Sequence, residues 1–209
     1  MTNFFSVDGK SHKIGSILAD ILLIGLLWTV FSIPIITAGA TTTALYYVCT
    51  KRVSGKGGYI FSDFLRSFKD NFFKSTIIFL ILTLLSYVVW LNFQLLDLVD
   101  VGVLYLPIIT ALFFVFMQII AIATNVFCIL ARFDTTIFQA MKSALFMAYR
   151  HILLVFTNLF LLLIITIAAF LFPVLIIFMM GIYIYFSSFL FIKMFTRYYS
   201  DFDATLKKL

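Results

Sequence analysis

The chain has 209 residues, of which 64% are hydrophobic and 11% charged, and its formal net charge is +6. Too little polar surface is left to cover a soluble globule of that length, so the sequence reads as an integral membrane protein and not as a soluble enzyme or binding domain. The positive charge does not point to nucleic acid, because the bases flank apolar stretches instead of forming a face with stacking aromatics.

The fifteen Lys and Arg fall into four clusters, separated by base-free gaps of 37 residues (Lys13 to Lys51), 57 residues (Lys74 to Arg132) and 42 residues (Arg150 to Lys193). Each gap is apolar and holds one of the three prolines, Pro34, Pro107 and Pro173. A helix crosses a bilayer in roughly 20 apolar residues, so each gap has room for about two crossings. Two crossings return the chain to the side it left, and cytoplasmic segments collect Lys and Arg. The expected fold is all-α: a polytopic transmembrane bundle of about six spans in three hairpins, as one membrane domain over 1–209. Both termini and every basic cluster are expected on the cytoplasmic face.

Lys10 and Lys13, followed by an apolar run and Ala38-Gly39-Ala40, imitate a signal peptide with a small-residue cleavage site. The apolar run, about 20 residues, is too long for a typical h-region, and the segment is expected to be retained. Splitting the first gap at Ser32-Ile33-Pro34 gives spans over about 14–32 and 35–50, both short. Thr41, Thr42 and Thr43 crowd the second arm, so its alternative is a re-entrant or partly unwound segment buried against other helices. The second gap holds spans over about 75–96 and 103–131. Their connector carries Asp97 and Asp100 and no base, as an outer loop should. The third gap divides near Pro173 into spans over about 152–172 and 174–193.

Two segments between the hairpins look alike. Phe61, Phe64, Leu65, Phe68 and Phe72 recur at helical spacing over 61–74, with Ser62 as candidate N-cap. Over 135–150, Ile137, Phe138, Met141, Ala144, Leu145 and Ala148 share a side, with Asp134 as candidate cap. A shift of 76 positions lays Arg66-Ser67 on Lys142-Ser143 and Lys74 on Arg150. Both read as amphipathic helices at the inner interface. Their candidate contacts to lipid or a partner are Phe64, Arg66, Phe68, Lys69, Phe72, Lys142 and Arg150.

Polar residues inside spans are costly and therefore the first functional candidates. They are Asp20, Thr41, Thr42, Thr43, Gln118, Asn125 and Asn158, with Asn92 and Gln94 further out. Asp20 is read as paired with a nearby base, or as a proton or cation site. Gln118, Ala121 and Asn125 share a face suited to a hydrogen-bonded helix contact. His12 and His151 are placed among headgroups. Cys49 and Cys128 have no metal-ligand neighbours and are not expected to form a disulfide. All nine acids are Asp, and no catalytic or phosphate-loop motif is present. No enzyme activity and no cofactor or metal is expected.

Phe4-Phe5, Asp8-Gly9, Leu27-Trp28 and the run Ser32-Ile33-Pro34-Ile35-Ile36-Thr37-Ala38-Gly39-Ala40-Thr41-Thr42-Thr43-Ala44-Leu45-Tyr46-Tyr47 resemble the YesL-like family of bacterial integral membrane proteins. The resemblance continues through Gly58-Tyr59, Asp63-Phe64, Arg66-Ser67-Phe68 and Asn71-Phe72, and is only hydropathic beyond residue 75. It implies a multi-pass protein of the Gram-positive cell membrane, found beside carbohydrate ABC importers. No catalytic residue is carried over, since the family's biochemical role is unassigned. From this setting the expected function is a non-enzymatic accessory subunit that binds the importer's permease subunits and stabilises or regulates them. The alternatives are a small independent transporter or channel, or a structural membrane protein. The sugar and any self-association are not legible.

Overall fold

The computed structural model describes residues 10–55, 58–98, 102–172 and 176–206, and every regular element among them is helical. Phe4-Phe5, Asp8-Gly9, Asp100 and Pro173 lie outside the described residues. The helices are α1 (Lys10–Phe31), α2 (Ala38–Val53), α3 (Ile60–Leu98), α4 (Tyr105–Arg132), α5 (Ile137–Arg150), α6 (Ile152–Leu171) and α7 (Ile176–Leu206), with short 3₁₀ turns at Ile35–Thr37 and Gly102–Leu104. Three of them, α3, α4 and α6, are long and apolar enough to cross a membrane, and two shorter apolar stretches lie at Gly15–Phe31 in α1 and Phe178–Lys193 in α7. The expected six spans are therefore matched in length and apolarity by three.

The second arm of that expectation, 35–50, is the centre of the molecule. After Phe31, Pro34 stands in extended backbone and a 3₁₀ turn leads into α2. A proline there bars the residue before it from helical geometry, which ends α1 and reverses the chain. Ten of the sixteen residues of α2 are buried, including Thr41, Thr43, Tyr46 and Cys49. It packs against α3, α4, α7 and α1. A helix covered on so many sides is a core element instead of a lipid-facing one. At its far end Gly55 adopts φ 71°, a left-handed conformation that glycine takes without strain, and its N–H donates to the Arg52 carbonyl.

α3 corrects a second expectation. Residues 61–74 are not a separate interfacial helix, because α3 runs unbroken for 39 residues, about 58 Å. The reason is legible afterwards: no Gly or Pro interrupts Ile60–Leu98, so nothing separates the amphipathic part from the apolar part. Ser62 falls inside the first turn and does not cap it. Most of the aromatic face of this segment looks into the protein, with Phe61 exposed at its start. Phe64 is fully buried, and its ring meets Phe31 edge-on at 4.8 Å, while Phe68 packs on Phe31, Phe64 and Phe72.

α5 is a separate amphipathic helix, as expected, but Thr136 caps it in place of Asp134. The Thr136 hydroxyl accepts from the Gln139 N–H and the Gln139 side chain accepts from the Thr136 N–H, a reciprocal capping box. Its buried side is Ala140, Ala144 and Ala148, while Phe138, Phe146 and Tyr149 are exposed. Small side chains let α5 lie close on α4, so size overrode hydrophobicity in choosing the face. Only His151 separates α5 from α6, whose large exposed residues include Leu153, Phe156, Phe160 and Phe170. α7 continues well beyond residue 193, the expected end of the last span.

Candidate functional site

The basic end of the bundle holds the densest polar grouping among the described residues. The last turn of α2 carries Lys51 and Arg52, and the first turn of α3 carries Asp63. Each charge suits the helix dipole beside it. Lys51 donates to both carboxylate oxygens of Asp63 at 2.8 and 2.7 Å, which ties the two helices across the Gly55 turn. Arg52 Nη2 donates to Asp20 Oδ1 at 2.8 Å and ties α2 to α1. Asp20 is thus held in an ion pair.

Beside these pairs lies a groove of about 530 Å³ between α2, α3 and the segment joining α4 to α5. Its lining includes Tyr47, Arg66, Ser67, Asp70, Asn71, Lys74, Arg132 and Asp134. Lys74 bonds Asp134 across the groove, and Arg66 sits 4.0 Å from Asp70 one turn along α3. Asn71 donates its amide to the Ser67 carbonyl and leans towards the Ser67 hydroxyl. Three cations, two carboxylates, an amide and a phenol give the groove both donors and acceptors, a surface suited to a polar segment of a partner.

The Lys74 ammonium holds the Asp134 carboxyl below the usual carboxylate range, first through its hydrogen bond and then through its charge. A depressed native pKa stabilises the folded state above the unfolded pKa, and that contribution disappears as pH falls through the native value. Lys74→Met is expected to return Asp134 towards an ordinary carboxyl titration, read by NMR of labelled protein. An unchanged Asp134 titration would mean that the pair is not formed in solution.

The other candidates separate. Arg66 and Lys69 of α3 and Lys142 and Arg150 of α5 are exposed, as a contact surface requires, and Phe72 is half-buried. Phe64 is withdrawn from any such surface by its burial. The hydroxyls of Thr41, Thr42 and Thr43 donate to the carbonyls of Thr37, Ala38 and Gly39, one turn back in each case. Gln118 donates to the Tyr149 hydroxyl and joins α4 to α5, while Asn125 donates to the Ala121 carbonyl. His151, half-buried at the joint of α5 and α6, borders a small pocket of about 10 Å³ with Asn125 and Asn158.

Sequence reading missed the polar contacts that join α2 to α7 and to α3. Tyr46 and Ser187 share a hydrogen bond at 3.0 Å, Tyr46 meets Phe191 edge-on, and Thr43 accepts from Ser75 of α3 at 2.9 Å. The signal was available as Thr42, Tyr46, Cys49 at i, i+4, i+7 and Tyr183, Ser187 at i, i+4, two polar stripes on facing helices. The groove was missed for another reason: Asp70 and Asp134 lie 64 positions apart, and only the fold brings their neighbourhoods together. Cys49 and Cys128 are buried free thiols.

An all-helical chain with three membrane-length apolar helices and a polar groove at its basic end defines a class of membrane-type bundle, not an activity. Its similarity to known families is of the same kind: the model of a family described as "Protein of unknown function, DUF624" matches residues 21–93, from within α1 through α2 and most of α3. No curated protein and no solved structure matches the chain.

Proposed function

We propose that the chain is a non-enzymatic accessory subunit in the cell membrane of a Gram-positive bacterium, bound to the permease subunits of a carbohydrate ABC importer. The basic end faces the cytoplasm with both termini, and the chain crosses the bilayer as three hairpins. The importer comes from the YesL-like resemblance of residues 4–72. The observation that carries the binding role is the groove of about 530 Å³, a polar recess bordered by Arg66, Asp70, Lys74 and Asp134 where α3 extends past its apolar part. Lys69 on α3 and Lys142 and Arg150 on α5 supply further exposed charge at that end. Against an independent transporter or channel stand the internal bonds of Thr41, Thr42 and Thr43 and the pairing of Asp20 with Arg52, which engage the groups such a path would use.

Affinity purification of the tagged protein in mild detergent is expected to recover permease and ATPase subunits of a sugar importer. Arg66→Ala with Asp70→Ala should reduce that recovery about tenfold, since truncating polar groups at an interface centre costs on the order of 1–2 kcal/mol. Recovery of the folded protein alone would reject the accessory role. Solute flux into liposomes holding only this protein would replace it with the transporter.

A further inference from the structure

A second recess lies in the apolar part of the bundle. It measures about 460 Å³ and is walled by α2, α3, α4, α6 and α7. α3, α4 and α6 are the three helices fit to cross a membrane. The wall is therefore at bilayer depth. We propose that this cleft binds one hydrocarbon chain of a bilayer glycerolipid.

The lining decides the chemistry. Most of its hydroxyls already have partners: Thr83 donates to the Phe79 carbonyl at 2.8 Å and Thr124 to the Ala121 carbonyl at 3.1 Å. Thr42 donates to the Ala38 carbonyl and accepts from the Trp28 indole, and Tyr46 is bonded to Ser187. What these residues offer an occupant is carbon. A sugar or ion would lose its water and regain few hydrogen bonds, at several kcal/mol for each group left unpaired. A hydrocarbon chain loses nothing of the kind.

Size fits a single chain. Recesses of about 300–1,000 Å³ with apolar walls are the usual size for a single small ligand. The small residue Ala123 of α4 creates part of the room, and α6, with only Val155, Asn158 and Ile165 buried, forms a lightly held side wall.

The fold carries its own reporter. The chain has two tryptophans, Trp28 and Trp90, and Trp28 touches the cleft wall through Thr42. In a Trp90→Phe background, phosphatidylglycerol with brominated chains, titrated into detergent-solubilised protein, is expected to quench Trp28 saturably near one lipid per protein. Native mass spectrometry should find a retained phospholipid on the wild type, and Ala123→Phe, which fills the cleft, should reduce its occupancy about tenfold. Thr83→Val keeps the carbon wall and should retain the lipid, a control for general loosening. Quenching that rises without saturation, or equal retention by folded Ala123→Phe protein, overturns the proposal. If Ala123→Phe does not fold, the Trp28 titration alone decides. Saturation by a brominated free fatty acid and not by the phospholipid also overturns it, assigning the cleft to a free acid.

Discussion

Gly181→Ala and Gly39→Ala should each destabilise the bundle, Gly181→Ala the more. A methyl at residue 181 would collide with the Ile21 backbone carbonyl, and neither that atom nor the helix carrying it can move alone. At residue 39 the methyl would stand 2.8 Å from both Phe79 Cβ and the Ser75 carbonyl oxygen, and 3.2 Å from the Phe127 ring. Alanine is about 1 kcal/mol better than glycine in a helix interior, so propensity alone predicts stabilisation. Overpacking costs about 1–3 kcal/mol, more where the obstacle is backbone, and therefore wins. Gly15→Ala is the control: nothing lies within 4 Å of its added methyl, and it should be neutral or slightly stabilising. Detergent-solubilised melting followed by size-exclusion fluorescence reads all three. Equal melting of all three variants would mean that α7 does not approach α1, nor α3 approach α2, as closely as described.

These two glycines mark how far sequence reading reached. Gly39 belongs to the stretch with the most specific family resemblance, yet its role, a close approach of α2 to α3, depends on residues 36 and 40 positions away. Spacing along one helix cannot reveal that. The apolar runs in α3, α4 and α6 were legible because hydropathy is local. The burial of α2 was not, since a 16-residue helix carrying six hydroxyl-bearing residues has weak hydropathy whether it faces lipid, water or other helices. The aromatic face of 61–74 was read correctly as a stripe and, at the buried Phe64, wrongly as a contact surface: periodicity identifies a face but not what covers it. The pairs that close the basic end join Asp20 to Arg52 and Lys74 to Asp134, 32 and 60 positions apart, and only the folded arrangement selects them from fifteen bases and nine acids.

Arg52→Met is the second large effect. The Asp20 side chain is 16% exposed, so removing its partner strands a carboxylate in a largely covered position at the joint of α1 and α2. Breaking a fully buried pair costs about 3–5 kcal/mol; with Arg52 35% exposed, water reaches the site and the expected loss is about 1–3 kcal/mol. Asp20→Asn should cost less, because the exposed Arg52 head can turn to solvent while its stem stays packed. The double variant Asp20→Leu with Arg52→Met should recover most of the loss, since a pair replaced by apolar groups leaves no charge stranded. That non-additivity separates a charge effect from lost packing. Cys49, fully buried three residues before Arg52, supplies an independent readout. Maleimide labelling in a Cys128→Ser background should be negligible in the parent protein, rise in Arg52→Met and fall again in the double variant. Labelling that stays high in the double variant would show that Arg52 supports the joint by packing, and the ion pair would then not be what closes α1 onto α2.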